Sequence, residues 1–333
     1  MPEQHRFKIR IRIVERREQI DIHCRNGFRL SSSTAVHKLP GIDRLQCQLR
    51  ECLPATGDYW FKYALAPDPE TVEQLAEQLN AAGVSTRIIE FGNTSGLIPG
   101  REPLHLLLAW PFNDPEQRHN VWREYRRLLP EQLPGDFSSP DDYLFIATTP
   151  AASSWRLQAG ELQLSRSEPL RIEPLHTDDQ VQVAGVRIGI DFHWDHTEEL
   201  SYGGAVEVFV NHEGTLSLLN EIDLEEYLAS VNSSEMTADC PLELLKAQTV
   251  AARSTLLATQ GRHHWGEPFD LCSDDHCQCY QGTTRQQKSS VLAVQQTQGQ
   301  VIAAADTVVD ARYSKSCGGI VEAYRHVWEQ RDP

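Results

Sequence analysis

The sequence predicts an α+β chain. A β-rich domain with two core helices flanking a groove is expected over residues 143–333, preceded by a small α+β accessory domain over residues 1–137. Three observations lead there. Short stretches of alternating apolar and polar residues recur from Tyr143 to Glu221, the period of half-buried strands. Two helical patterns follow one another between Asp223 and Gly261. Upstream, strand and helix patterns alternate until PEQLPGDFSSPDD, residues 130–142, where three Pro and a Gly with little periodicity mark a boundary. The length of 333 residues suits two or three domains of ~100–200 residues each, and 40% apolar content supplies their cores.

Charge and composition exclude several classes. Lys plus Arg number 31 against 47 Asp plus Glu, a formal net charge of −16 that argues against nucleic acid or an anionic membrane as partner. No run of ~18 apolar residues predicts a membrane span, and no apolar segment follows the basic residues of MPEQHRFKIRIRIVERREQ, so no signal peptide is visible. Cys24, Cys47 and Cys52 lie early, and Cys240 and Cys317 late. Cys272, Cys277 and Cys279 crowd into eight residues, a clustering that favours metal over disulfides.

From the start, Phe7, Ile9, Ile11 and Ile13 alternate with Lys8, Arg10 and Arg12, a half-buried strand. QIDIHC alternates again and reads as its hairpin partner, with the turn dipeptide Asn26-Gly27 before FRL. YWFKYALA reads as strand. Asp68-Pro69-Glu70 opens a helix with the stripe Val72, Leu75, Ala76 and Leu79, Gly83 stops it, and STRIIEFG is a strand again. That unit is similar to half of a SPOR-type peptidoglycan-binding repeat. PLHLLLAW and the helix opened by Asp114-Pro115 form a second unit that can pair with the first into one module.

After the boundary come YLFIAT, WRLQAG, LQLS and VQVAGVRIGIDFHW, then GGAVEVFVNHEGTLSLLNEI with its turn at His212-Glu213-Gly214. Asp223 and Glu226 carry a capping signal for a helix packed through Leu224, Tyr227, Leu228 and Val231, which ends at an Asn232-Ser233-Ser234 turn. Pro241 starts the next helix, with Leu242, Leu245, Thr249, Ala252 and Leu256 on its inner face. Between the two helices stands Glu235, on a polar turn with rigid neighbours. On residue type alone it reads as a solvated turn residue or cap. Arg253 sits among small and apolar residues, where a guanidinium needs a carboxylate or a polar substrate group, and a nearby Glu is the natural partner.

Further on, His263, His264, Cys272, His276, Cys277 and Cys279 fall within seventeen residues, enough donors for a tetrahedral zinc. A redox-sensitive loop with His276 facing the groove is the other reading. VVDARYSKSC reads as a strand that turns Tyr313 and Lys315 to one face, before Gly318-Gly319 allows close backbone approach. A thiol nucleophile pairing Cys317 with His276 is the other enzyme class these residues suggest, although nothing nearby matches a thiol-enzyme signature.

LNEIDLEEYLASVNSSEM, PLELLKAQTVAARS, FDLCSDDHCQCYQG and ARYSKSCGGIVEAYRHVW resemble, in order and spacing, the SpoIID/LytB domain over roughly residues 180–333. That family contains a sporulation lytic transglycosylase and an amidase enhancer. The resemblance implies that Glu235 acts as single general acid and base on peptidoglycan glycan strands, giving 1,6-anhydro-muramyl ends. The acid role calls for partial desolvation against Met236 and an apolar wall. It implies Arg253, Tyr313 and Lys315 in the catalytic set, and Ser234, His276, Tyr280, Ser316, Gly318, Gly319 and Trp328 along the substrate. Structural zinc held by His264, Cys272, His276 and Cys277 is implied too. A non-catalytic glycan-binding protein or enhancer of a cell-wall amidase is the alternative. The substrate class implies the cell envelope or periplasm, whereas the unseen signal peptide leaves the cytoplasm as the other location. Relatives run on for a few dozen residues beyond the last motif, so a fuller groove wall is expected than this sequence carries.

Overall fold

The computed structural model describes residues 7–66, 68–91, 104–128, 143–190, 192–260, 264, 266–305, 307–321 and 323. The alternation at the start makes strand β1 (Lys8–Arg17), with Ile9, Ile11 and Ile13 buried. β2 (Gln19–His23), β3 (Gly27–Ser31), β4 (Val36–Pro40) and β5 (Arg44–Glu51) follow. Next come β6 (Thr56–Ala66), α1 (Pro69–Ala81), β7 (Thr86–Phe91), β8 (Leu104–Phe112), α2 (Arg118–Leu128) and β9 (Tyr143–Thr149). The chain continues through β10 (Ser154–Ala159), β11 (Leu162–Arg166), β12 (Leu170–Pro174), β13 (Val181–Ile188), β14 (His196–Tyr202), β15 (Ala205–Val210) and β16 (Leu216–Asp223). Two helices, α3 (Leu224–Glu235) and α4 (Leu242–Thr259), precede β17 (Leu271–Cys272), α5 (Lys288–Gln296), β18 (Ala303–Ala304) and β19 (Thr307–Val308).

Strands therefore dominate an α+β chain, and they sort into two compact units. In the first, a seven-stranded sheet runs β17-β1-β16-β15-β12-β3-β4 and a six-stranded sheet runs β11-β10-β5-β2-β13-β14. One apolar core joins them. Ile9, Phe28, Ile172 and Val206 come from one sheet, Ile22, Leu45, Trp155 and Leu200 from the other, and Tyr227, Leu228 and Leu256 from α3 and α4.

The second unit is built around residues 55–150. Its sheet is antiparallel in the order β7-β8-β6-β9, a split β-α-β arrangement in which the two strand-helix units interleave. Val72, Ala76 and Leu79 of α1 and Val121, Trp122 and Tyr125 of α2 pack over Phe61, Tyr63, Leu107 and Trp110. Asp68 caps α1 by accepting the Thr71 N–H at 2.8 Å.

The units divide the chain differently from the expected cut near residue 137. Residues 8–51 are part of the larger unit: β1 pairs antiparallel with β16 from Lys8↔Asp223 to Arg17↔Leu216, and β5 pairs with β10. YLFIAT, expected to open the β-rich domain, is instead β9 and lies against β6. In sequence, the smaller unit thus stands between two parts of the larger one. The expected boundary stretch 130–142 lies outside the described residues. Likewise β1 and β2 form no hairpin, since β2 pairs with β5 and β13 in the other sheet. Alternation reports which face of a strand is buried but not which strand lies beside it.

A chain cut to residues 143–333 is therefore expected to lose the cooperative melting transition of the whole, because β16 and β10 lose their partners β1 and β5. Calorimetry checks this, and an unchanged transition in the truncated chain would contradict the shared core.

Candidate functional site

Asp223 caps α3 by accepting the Glu225 N–H at 2.9 Å, and Tyr227, Leu228 and Val231 bury its inner face. The expected stop at Asn232-Ser233-Ser234 does not occur, and the helix runs on to Glu235. Asn232 spends its amide on the Leu245 carbonyl at 2.7 Å and the Thr249 hydroxyl at 2.9 Å, and Ser233 donates back to the Ala229 carbonyl at 3.0 Å. Side chains occupied in this way do not compete for the backbone as turn formers would. Glu235 consequently stands at the helix end, half-buried, with Met236 half-buried after it.

The Glu235 carboxylate oxygen Oε1 accepts the Cys279 backbone N–H at 2.9 Å. Burial and the Glu235 carboxylate push the Cys279 thiol up to about 12. Tyr313 belongs to the same cluster. Burial first, then Glu235 and Cys279, push its phenol up, while the Gln278 and Gln248 amides act in the opposite direction. Tyr313 Oη and Gln248 Nε2 are buried without a well-formed hydrogen bond among the described residues, although the Gln278 and Gln248 amides approach the Tyr313 hydroxyl closely enough to act on it, and Ser234 Oγ is likewise buried and unpaired.

Arg253 does not join this cluster. It is 1% exposed, and it donates to Glu225 from Nε at 3.0 Å and from Nη2 at 2.6 Å, and to the Gln300 carbonyl from Nη1 at 2.9 Å. Glu225 lies ten residues before Glu235 on the same helix, a rise of ~15 Å. A Glu is the partner, as the apolar surroundings suggest, but Arg253 is an anchor rather than a catalytic group. Tyr280 is also structural: it is 1% exposed, its hydroxyl donates to Asn220 Oδ1 at 2.7 Å, and its ring packs with Tyr202 and Tyr227. The expected strand VVDARYSKSC is absent beyond Val308, since β19 pairs only with the two residues of β18. Tyr313 therefore packs against the core while Lys315 and Ser316 are exposed. Gly318 and Gly319 adopt φ of +64° and +112° with open space where a side chain would stand. Trp328 lies outside the described residues.

Gln248, Gln278 and the Cys279 amide were not singled out by sequence reasoning. Gln248 carried a signal, being three residues after Leu245 on the inner stripe of α4 and 5% exposed. The other two come from a loop whose path no periodicity reveals.

His264, Cys272, His276 and Cys277 each bring a ligand atom, all within 4.8 Å of one another. His276 Nδ1 lies 3.9 Å from Cys272 Sγ and 3.6 Å from Cys277 Sγ, where tetrahedral coordination at the usual bond lengths sets sulfur and nitrogen ~3.6 Å apart. Neighbouring His276 and Cys277 thus both reach the cluster, and the Nδ1 of His276 faces the two sulfurs. Cys272 and burial push the Cys277 thiol up. The four residues could hold a metal ion.

Residues 212–303, spanning both helices, the His/Cys cluster and Glu235, match the model of the SpoIID family, described as stage II sporulation protein. Over these residues the chain is similar to the SpoIID family. It is 30% identical over 129 residues to an uncharacterized protein of Brachyspira hyodysenteriae, covering 39% of this chain and 35% of that one. It is 35% identical over 106 residues to the amidase enhancer of Bacillus subtilis, covering 32% of this chain and 14% of that one. The matched regions thus amount to about a third and a seventh of these relatives' own lengths. The SpoIID match ends before Tyr313 and does not reach β1–β5. No helix among the described residues is long and apolar enough to cross a membrane.

Elemental analysis of chain purified without chelator is expected to find about one metal ion per chain, and Cys272→Ser or Cys277→Ser to lose it together with thermal stability, because a structural metal supplies folding free energy directly. Metal-free protein that melts as the variants do would remove the site.

Proposed function

We propose that this SpoIID-like domain is a lytic transglycosylase that cleaves peptide-stripped glycan strands of peptidoglycan, leaving 1,6-anhydro-muramyl ends. The observation that carries the reading is Glu235, half-buried at the end of α3, oriented through Oε1 by the Cys279 amide and acting on the buried phenol of Tyr313, which the Gln248 and Gln278 amides also approach. Two carboxylates are the usual complement for glycoside hydrolysis, one as acid and one as base or nucleophile. One suffices when the nucleophile is a hydroxyl of the substrate itself. Protonated Glu235 gives its proton to the glycosidic oxygen as the bond from that oxygen to C1 of muramic acid breaks. The carboxylate left behind then takes the proton of the C6 hydroxyl while O6 closes onto C1. The proton returns to Glu235, and no water is consumed.

Tyr313 and the Gln248 amide hydrogen-bond sugar hydroxyls in this account, and exposed Lys315 meets the muramyl lactate. The metal is zinc, for which two thiolates and two imidazoles are a customary donor set, and it would hold the loop that presents the Cys279 amide. The substrate places the protein in the cell envelope. A second reading follows from the relative called amidase enhancer, in which the domain holds glycan for a cell-wall amidase without cutting it.

Glu235→Gln keeps the side-chain volume and the oxygen that accepts the Cys279 N–H but loses the transferable proton. Release of anhydro-muramyl ends from peptide-stripped strands, followed by mass spectrometry, is expected to fall by about 10²–10⁴-fold at unchanged melting temperature. Undiminished release would overturn the role of Glu235, and a wild-type chain that binds strands without cutting them would favour the second reading.

A further inference from the structure

The sequence DFHW after β13 reads as strand, yet β13 ends at Ile188 and Phe192, His193 and Trp194 form the turn into β14. Phe192 and Trp194 are left 41% and 51% exposed there, while every other described Phe, Trp or Tyr side chain is at least partly buried. Their rings stack with centroids 4.5 Å apart and planes within 6° of parallel. The turn is pinned from several sides. The Phe192 N–H donates to the Gly189 carbonyl and the Asp195 N–H to the Phe192 carbonyl, each at 3.0 Å. Arg187 is ion-paired with Asp195 across the strand ends. His196 lies 2.7 Å from the Trp194 carbonyl through Nδ1 and 2.8 Å from Glu198 through Nε2. Gly189, with φ of +67°, leaves the indole its place, since a Cβ there would stand 2.3 Å from the ring.

The same border of the domain leads back to Glu235. Four residues beyond the Cys279 amide, the Thr283 N–H donates to the Ser201 carbonyl at 2.7 Å, and the Ser201 N–H donates to the Thr284 hydroxyl at 2.8 Å. Arg285 then pairs with Glu198 at 2.7 and 2.8 Å. From Ser201 the strand β14 runs ~17 Å to His196, at about 3.4 Å per residue, and Trp194 lies two residues beyond.

We propose that Phe192 and Trp194 form a distal saccharide subsite that holds a glycan strand several sugars away from Glu235. The inference rests on the glycan reading of the Glu235 site. Flat, parallel rings held rigidly in water suit the C–H face of a pyranose, and the paired charges of Arg187 with Asp195 and of Glu198 with Arg285 offer donors and acceptors to hydroxyls at the ring edges. A protein partner fits less well. Two half-exposed rings offer roughly 200 Å², well short of the ~800 Å² per partner that a stable protein interface buries.

The test uses the full chain carrying Glu235→Gln, so that glycan is held but not cut, with two probes: long peptide-free glycan strands and a peptidoglycan tetrasaccharide. Trp194→Ala is expected to weaken strand binding about tenfold, leave tetrasaccharide binding unchanged, and keep the melting temperature, while Trp194→Phe retains most of the strand affinity. Strand affinity unchanged by Trp194→Ala, alone or together with Phe192→Ala, would overturn the subsite and leave the Glu235 reading standing. Equal weakening toward both probes would also overturn it, by placing the effect at the Glu235 site. An alanine variant that binds strands normally but no longer stimulates a cell-wall amidase would assign the surface to a protein partner instead. A parent chain that binds neither probe defeats the reading of the Glu235 site, and this inference with it.

Discussion

One buried guanidinium ties the site together. Arg253 projects from α4, grips Glu225 at the start of α3 with two hydrogen bonds, and holds the Gln300 carbonyl with a third. Breaking a buried charge pair by removing one partner costs about 3–5 kcal/mol, so these three segments are held in one relation wherever the core is intact. Each of them leads to the candidate site. α3 ends on Glu235, α4 carries Gln248, and the chain beyond Gln300 reaches Tyr313. The Asn232 amide ties the far end of α3 to α4 through Leu245 and Thr249, so the two helices are fixed at both ends.

The loop that completes the site has a different support. Among its described residues between α4 and α5 the regular structure is limited to the two residues of β17 against β1. A metal at the four His and Cys side chains would close this loop within a few residues of the amide that meets Glu235. Cys272 belongs both to β17 and to that cluster, which ties the ligand set to the seven-stranded sheet. The first strand of the chain thereby bears on the site, although it lies more than two hundred residues before Glu235 in sequence.

Much of this was legible in the sequence, for reasons that particular residues show. The two helices announced themselves through Asp223, Pro241 and the stripe Leu245, Thr249, Ala252 and Leu256, because capping and periodicity are local. The ligand cluster was legible because its residue types are rare and close together. The strand partners were not. Nothing local in FKIRIRIVE tells that its partner is LSLLNEID, so the sequence alone sets residues 8–51 apart from the unit they belong to. Arg253 and Tyr280 illustrate the same limit within the site. Both have the chemistry of substrate contacts, and only the three-dimensional positions of Glu225 and Asn220 show them to be satisfied inside the protein. Asn232 and Ser233 read as turn formers for the converse reason, since their partners on α4 and in the preceding helical turn cannot be read from residue type.

The central claim is that one carboxylate suffices because the substrate supplies its own nucleophile. Cleavage of peptide-stripped glycan strands by the wild-type chain in ¹⁸O-labelled water tests it most directly, with the new muramyl ends resolved by mass spectrometry. The account predicts 1,6-anhydro ends that carry no label, since O6 and not water closes onto C1. Labelled oxygen at C1 of new reducing ends would contradict it, showing that water attacks and that a second catalytic group must be sought.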